Sequence, residues 1–286
     1  MKGVLLMKIG FNIEEAVRKR YSVRNYSDLE ISEETMSSIR EFIDDLSNPF
    51  GPKVTFHYLD NANPEENQKL GTYGVIKGAN KYIGTTIKDE PLALEALGYE
   101  MEVLMLYLAS KGLGTCWLGG TFDRESFAVA MKVDKGELFP AITPYGYPAD
   151  KKHMKEIAMR TLIRADQRVP WDKIFYEDSF NSPLTENRAG EYFFPLEMLR
   201  LGPSASNKQP WRILLRDGAF HFHEAKEPGY SDRFTYDIQK IDIGIAAAHF
   251  DLAAKEKGLK GEFEVEEPKV ELPQNMLYSF SWRMRK

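Results

Sequence analysis

Three stretches of the chain carry residue types able to hold a charged, planar ligand. The first, Arg20-Tyr21-Ser22-Val23-Arg24, sets two cations either side of a hydroxyl at the end of a helical segment. Alternate residues of an extended chain point the same way, so Arg20, Ser22 and Arg24 can converge. Converging guanidinium and hydroxyl groups hold a phosphate or an anionic ring edge through charge-assisted hydrogen bonds. The same residues also fit a solvated basic turn. The second, Gly202-Pro203-Ser204-Ala205-Ser206-Asn207-Lys208-Gln209-Pro210-Trp211, offers Ser, Asn and Gln groups and backbone amides on a segment stiffened by two prolines. It suits a flat polar ligand, or a loop whose Trp211 plugs the core. The third, Gly114-Thr115-Cys116-Trp117-Leu118-Gly119-Gly120, lets backbone come close to a flat ligand, and reads equally as a tight crossover turn.

Other chemistries leave no mark. There is no phosphate-loop pattern, no strand-borne dinucleotide fingerprint, no HExxH and no GxSxG. Cys116 has no evident His partner and reads as a small core residue. His221 and His223 share a strand face without acidic or Cys partners nearby, so a surface hairpin is expected.

Helices are expected over 12–20, with Asn12 as cap, and from Ser32, with Met36, Ile39, Ile43 and Leu46 as its apolar stripe. Residues 53–59 alternate as a strand, and 61–68 form a polar loop. The strongest helix spans 91–111 and is apolar nearly all round its middle, which places it in a core or interface. A capped helix follows at 123–132. Residues 139–147 read as extended, with Pro140, Pro144 and Pro148 arguing against a central strand. A helix over 186–201, strands over 211–216 and 220–223, and a long apolar helix over 236–257 complete the pattern. Lys257-Gly258-Leu259-Lys260 echoes Lys111-Gly112-Leu113-Gly114. Each half runs helix, strand, long helix, Gly-Leu, strand, so a degenerate two-fold duplication is expected.

Composition bounds the rest. The 286 residues suit about two domains' worth of chain. With 43% hydrophobic and 28% charged residues the chain is globular, and a single Cys excludes a disulfide framework or multi-Cys zinc site. A net charge of −5 disfavours nucleic acid. The apolar run 3–7 is too short for a secretory core, and no run approaches the ~20 residues of a membrane span, so a cytoplasmic protein is expected.

Together the three stretches resemble the nitroreductase family of FMN-dependent oxidoreductases. RYSVR resembles its Arg-x-Ser-x-Arg/Lys signature, GPSASNKQPW its Ser-x-x-Asn-x-Gln-Pro-Trp loop, and GLGTCWLGG its glycine-rich strand. Tyr145-Gly146-Tyr147-Pro148, with Arg164 and Arg168-Val169-Pro170, resembles the segment closing its phosphate site. The order departs from the family: the Ser-Asn loop stands in the second half, and 47–52 lacks it. In typical members each FMN site is shared by two subunits, so this chain looks like that dimer fused, with one intact site.

The resemblance implies an α+β, nitroreductase-like fold of two degenerate halves, 11–170 and 171–286, forming a pseudo-two-fold pseudodimer around long central helices. It implies FMN as cofactor and NADH or NADPH as reductant, with a nitroaromatic, quinone or related small molecule as acceptor. No nucleic-acid or membrane partner is expected, and the fused chain could act as a monomer. Arg20 and Arg168 or Arg164 would clamp the phosphate, with Ser22 beside them. Arg24 would lie nearer the ring. Leu118, Gly119 and Gly120 would bring amides towards the ring, and Pro203, Ser204, Ala205 and Asn207 would meet it from the other half. No side chain need act as acid or base, because the cofactor carries the chemistry. A flavin carrier or sensor without turnover, a flavin-fragmenting or dehalogenating branch, and an interaction protein that kept only the fold are the alternatives. Tyr73 and Lys77, in an unassigned stretch before Lys81-Tyr82, would roof the ring.

Overall fold

A computed structural model describes residues 10–61, 70–151 and 154–285, without the side chains of 154 and 155. The apolar run 3–7 and nearly all of the expected polar loop 61–68 lie outside them. In chain order the elements are α1 (Ile13–Lys19), α2 (Glu33–Asp44), β1 (Thr55–Asp60), β2 (Lys81–Ile87), α3 (Ala93–Ser110), β3 (Gly114–Thr115), α4 (Arg124–Ala130), β4 (Leu138–Gly146) and α5 (Met154–Leu162). There follow β5 (Phe175–Glu177), β6 (Ser179–Pro183), α6 (Glu186–Ala189), α7 (Phe193–Arg200), β7 (Trp211–Arg216), β8 (Ala219–Ala225), α8 (Gln239–Glu256), β9 (Gly261–Glu264) and β10 (Met276–Met284).

Helix starts follow local chemistry. Asn12, Ser32 and Asp123 each accept an N–H three residues on, closing the first turns of α1, α2 and α4. α3 and α8 are 18 residues each and buried along almost their whole length, as helices apolar on every side must be. They pack on each other at the centre. Both end in Lys-Gly-Leu with the glycine left-handed (φ 78 at Gly112, 72 at Gly258), and the leucine N–H returns to the carbonyl five residues back.

Each long helix has its own sheet. One runs in the order β1-β2-β4-β3, the other β6-β5-β7-β8-β10-β9. The order β7-β8-β10-β9 repeats β1-β2-β4-β3, with every pair in both runs antiparallel. The main core joins Tyr99, Val103 and Leu106 of α3 to Phe250 and Leu252 of α8 and to Trp211, Phe220, Phe222 and Trp282 of the second sheet. Among the described residues no helix is long and apolar enough to cross a membrane.

Three expectations are corrected. Residues 138–146 form an interior strand despite their prolines. β4 bulges opposite Thr86, where Phe139 and Pro140 stand against that one residue of β2, and beyond Gly114 and Thr115 the ladder to β3 lapses at Pro144, where Cys116 N–H turns to Thr143 Oγ1 (3.1 Å). The helix expected over 186–201 breaks at Gly190 (φ 55) into α6 and α7. His221 and His223 are buried, at 3% and 0% exposure, because β8 lies between β7 and β10. The segment around β2, not assigned from the sequence, is the second strand of its sheet.

Candidate functional site

At the end of α1 the chain becomes extended at Arg20 (φ −64, ψ 127) and runs alongside β3. Ser22 bridges Thr115, and Val23 N–H donates to the Thr115 carbonyl at 2.8 Å. This approach needs Gly114, where a Cβ would stand 2.6 Å from Val23 Cγ2. Arg20, Ser22 and Arg24 meet around the Cys116 thiol. Burial pushes that thiol's pKa up, while Arg24, a hydrogen bond with Ser22, and Arg20 pull it back.

The two guanidinium groups are unusual. The Arg20 side chain is only 6% exposed, with Nε 3.6 Å from Glu102 Oε1. Its Nε and Nη1 are buried with no hydrogen-bond partner among the described residues. Arg24 is 7% exposed; its Nη1 donates to the Ser22 carbonyl, and its Nε is likewise without a partner. Buried cationic donors left open are costly unless an anion meets them. A cleft of about 190 Å³ opens beside Arg20, lined in part by Lys19, Tyr21, Gly114 and Thr115.

The second half reaches this place through the loop before β7. Asn207 Nδ2 donates to the carbonyls of Arg164 (2.7 Å) and Gln167 (3.0 Å), and Asn207 Oδ1 accepts from Arg168 Nη1 at 3.5 Å. Gln209, nearly buried, accepts the Val169 N–H and donates to Gln167. Arg168 also donates to the Leu201 carbonyl. Burial, then the neighbouring Arg20 and Arg200 cations, push the Arg168 pKa down to about 10. Arg20 and Arg168 therefore act on one another electrostatically, as like charges.

The other expected residues fall as follows. The Arg164 side chain is exposed, and its carbonyl is what the loop engages. The Asn207 amide is spent on backbone rather than left open. Pro203 is buried, and Ser204 Oγ accepts the Gln209 N–H. Ala205 N–H donates to buried Asp242 at 2.9 Å. Burial holds the Asp242 carboxyl well above its ordinary range. Leu118 exchanges backbone hydrogen bonds with Ile142, so its amide is committed. Gly119 and Gly120 lie so close to Ile238 and Arg233 that a Cβ would meet them at 2.8 and 2.9 Å. The third stretch and the Ser204 loop thus both border the start of α8. Tyr73 is 69% exposed, and the Lys77 backbone pairs with Arg24 and Tyr26.

Sequence reasoning missed Glu102 and His249. Both are fully buried in the middle of α3 and α8, with His249 Nε2 2.9 Å from Glu102 Oε1. Trp117 Nε1 donates to Glu102 Oε2 at 2.7 Å. The available signal was the set of ionisable residues inside two largely apolar helices, Glu95, Glu100 and Glu102 in α3 and Asp242, His249 and Asp251 in α8, which must find partners when buried.

The sequence matches a family model described as "Putative TM nitroreductase" over residues 12–254. The chain belongs to this nitroreductase family. The fold agrees: a crystal structure described as a "putative nitroreductase" from Thermotoga maritima is similar over 96% of this chain and 94% of its own, with TM-score 0.60 and 20% identity. Shorter nitroreductase structures cover half of the chain. One from Clostridium novyi has 23% identity and TM-score 0.37, covering 51% of this chain and 91% of its own. Another, a nitroreductase with bound FMN from Bacteroides fragilis, has 18% identity and TM-score 0.40, covering 51% and 92%. No match is found among curated proteins.

Proposed function

We propose that this nitroreductase is an FMN-dependent oxidoreductase that takes hydride from NADH or NADPH and passes it to a nitroaromatic, quinone or related small acceptor. The observation that carries the reading is Arg20. It is a buried cation with two open donors, set beside a second cation, Arg168, from which it gains only repulsion. Such a pair fits a phosphate dianion, which each guanidinium can meet with charge-assisted bonds. Arg24 adds a third open donor and Ser22 a hydroxyl. Arg20, Ser22, Arg24 and Arg168 would hold FMN. Arg164, Leu118, Gly119, Gly120, Pro203, Ser204, Ala205 and Asn207 would complete the site, with Asn207 acting by fixing the segment that carries Arg168. When bound, FMN would supply the hydride chemistry. The chain's own part is to bind and orient it.

We also read the chain as two degenerate halves, 11–170 and 171–286, with one FMN site at their seam, so that a single chain suffices. The repeated strand order, the equal lengths of α3 and α8 and their matching ends support this. The test is a visible spectrum of the purified protein, flavin quantified per chain, then addition of NADH or NADPH. One FMN per chain that bleaches on a turnover timescale is expected. Flavin that binds but does not bleach would make the protein a carrier or sensor. Colourless protein that refuses FMN would overturn the reading.

A further inference from the structure

The seam holds a proton that the hydrogen-bond geometry requires. His249 Nδ1 lies 2.9 Å from the Met198 carbonyl, and Nε2 lies 2.9 Å from Glu102 Oε1. A carbonyl only accepts, so Nδ1 carries a hydrogen. A neutral ring would then turn a bare Nε2 lone pair on a carboxylate oxygen. The bond therefore needs one more proton, on the imidazole or on the carboxyl, and the pair owns it jointly. The other Glu102 oxygen accepts from Trp117 and cannot relieve the contact.

The charged and polar groups facing the pair come from several elements. Arg20 reaches in from the end of α1, its Nε 3.6 Å from Glu102 Oε1. Trp117 comes from the segment after β3. α7 contributes only the Met198 carbonyl, and Gly202, at the start of the Ser204 loop, packs against the His249 ring. With its proton, the Glu102–His249 pair is neutral and leaves Arg20 its full positive field. Without it, the pair carries one negative charge beside Arg20 and cancels part of what an anion would feel.

We propose that the proton shared by Glu102 and His249 regulates how tightly the Arg20 site holds a phosphorylated flavin. The inference rests on the FMN reading above and concerns the control of that same site. Linkage fixes its sign. A dianion bound near the pair raises the pair's hold on its proton. Binding is thus strongest where the free protein already keeps the proton, and weakens as pH rises through the range where the proton is lost. Glu102 and His249 are positioning residues here, since they act through Arg20.

The test measures dissociation constants of FMN and of riboflavin, which lacks the phosphate, by flavin fluorescence quenching. Full chain and His249→Gln are compared from about pH 5.5 to 9. The Gln amide can donate to both Glu102 and Met198 at every pH without titrating. The ratio of variant to wild-type constants cancels the ionisation of the phosphate (pKa about 6) and of Arg168, which both share. For FMN this ratio is expected to change by up to about tenfold per pH unit within the range, wild type losing affinity as pH rises. For riboflavin it stays constant. A constant FMN ratio, or an equal change with riboflavin, overturns the inference. Glu102→Gln replaces the variant if His249→Gln does not fold. Calorimetry of FMN binding to the wild type at several pH values up to about 9, in two buffers of different ionisation enthalpy, is the variant-free arm: proton uptake is expected within the pH range where wild-type affinity falls, and its absence there refutes the proposal. Failure of the wild type to bind FMN at any pH would instead sink the functional reading itself.

Discussion

Gly98 and Gly244 lie reciprocally against each other's helices. Gly98 of α3 faces the carbonyl of Ile241, and Gly244 of α8 faces that of Glu95. Each glycine is the sixth residue of its helix, and each carbonyl belongs to the third. A Cβ on either glycine would overlap the facing oxygen. That backbone cannot yield without separating the helices that carry Arg20's neighbour Glu102 and its partner His249. Gly98→Ala and Gly244→Ala should each cost about 3 kcal/mol, the upper part of the overpacking range. The double variant should cost less than the sum, because the first Cβ makes room for the second. Denaturant midpoints of the four proteins test this, and strictly additive losses would contradict a shared contact.

A phosphate site predicts a contrast between two arginines. Arg20→Ala removes a buried cation with open donors. Arg216→Ala removes one whose side chain is 33% exposed and pairs with Asp217 at the tip of the β7–β8 turn. A hydrogen bond to a charged group contributes about 1.5–3 kcal/mol, or roughly 10- to 100-fold in affinity. FMN retention through gel filtration, with the dissociation constant measured by fluorescence, should fall by that factor for Arg20→Ala and stay unchanged for Arg216→Ala. Equal retention would remove Arg20 from the site.

Much of this was legible because it is local. Caps at Asn12, Ser32 and Asp123 are set by a side chain and an amide three residues apart, and the Lys-Gly-Leu helix ends by a left-handed glycine. The apolar girth of α3 and α8 announced their burial. What the sequence hid was set by tertiary pairing. Pro140 and Pro144 sit in an interior strand because a bulge and a lapse in the ladder absorb their missing N–H groups. His221 and His223 look like hairpin surface until β10, some 50 residues later, closes over them. At the site, the types of Arg20, Ser22 and Arg24 were informative. That the Asn207 amide would go to backbone, and that Glu102 would find His249 across 147 residues, follows only from the fold.

Two buried groups should bend the stability–pH profile in opposite directions. Burial pushes Glu100 up to about 7 from 4.5, against the opposing effect of the Asn48 hydrogen bond. The folded state then keeps a proton that the unfolded chain has released, so stability falls as pH rises from 4.5 to 7. Burial pushes His223 down to about 4 from 6.5. The unfolded chain takes up that proton first, so stability falls as pH drops from 6.5 to 4. Glu100→Gln, which keeps an acceptor for Asn48, should gain on the order of 2 kcal/mol relative to wild type at pH 8 and little at pH 4. His223→Phe, at a position in T-shaped contact with Phe180 and Tyr278, should show its relative gain at pH 4 instead. Urea unfolding at the two pH values separates them, and parallel profiles would contradict both assignments.

The joint between the Ser204 loop and the segment that carries Arg168 can be loosened without touching a cationic side chain. Gln209 is 3% exposed and ties the Ser204 loop to the residues on either side of Arg168. Its Oε1 accepts the Val169 N–H at 2.9 Å, and its Nε2 donates to the carbonyls of Gln167 and Asn207. Gln209→Ala leaves that N–H and those carbonyls short of a partner, at about 1–3 kcal/mol of stability. Gln209→Glu is nearly isosteric but sets a buried carboxylate against two carbonyl oxygens, so it should cost more than the alanine. Because Arg168 hangs on the same segment, both variants should also weaken FMN binding while leaving riboflavin binding less affected. Parallel losses for the two flavins would mean that Gln209 supports the fold at large rather than the placement of Arg168.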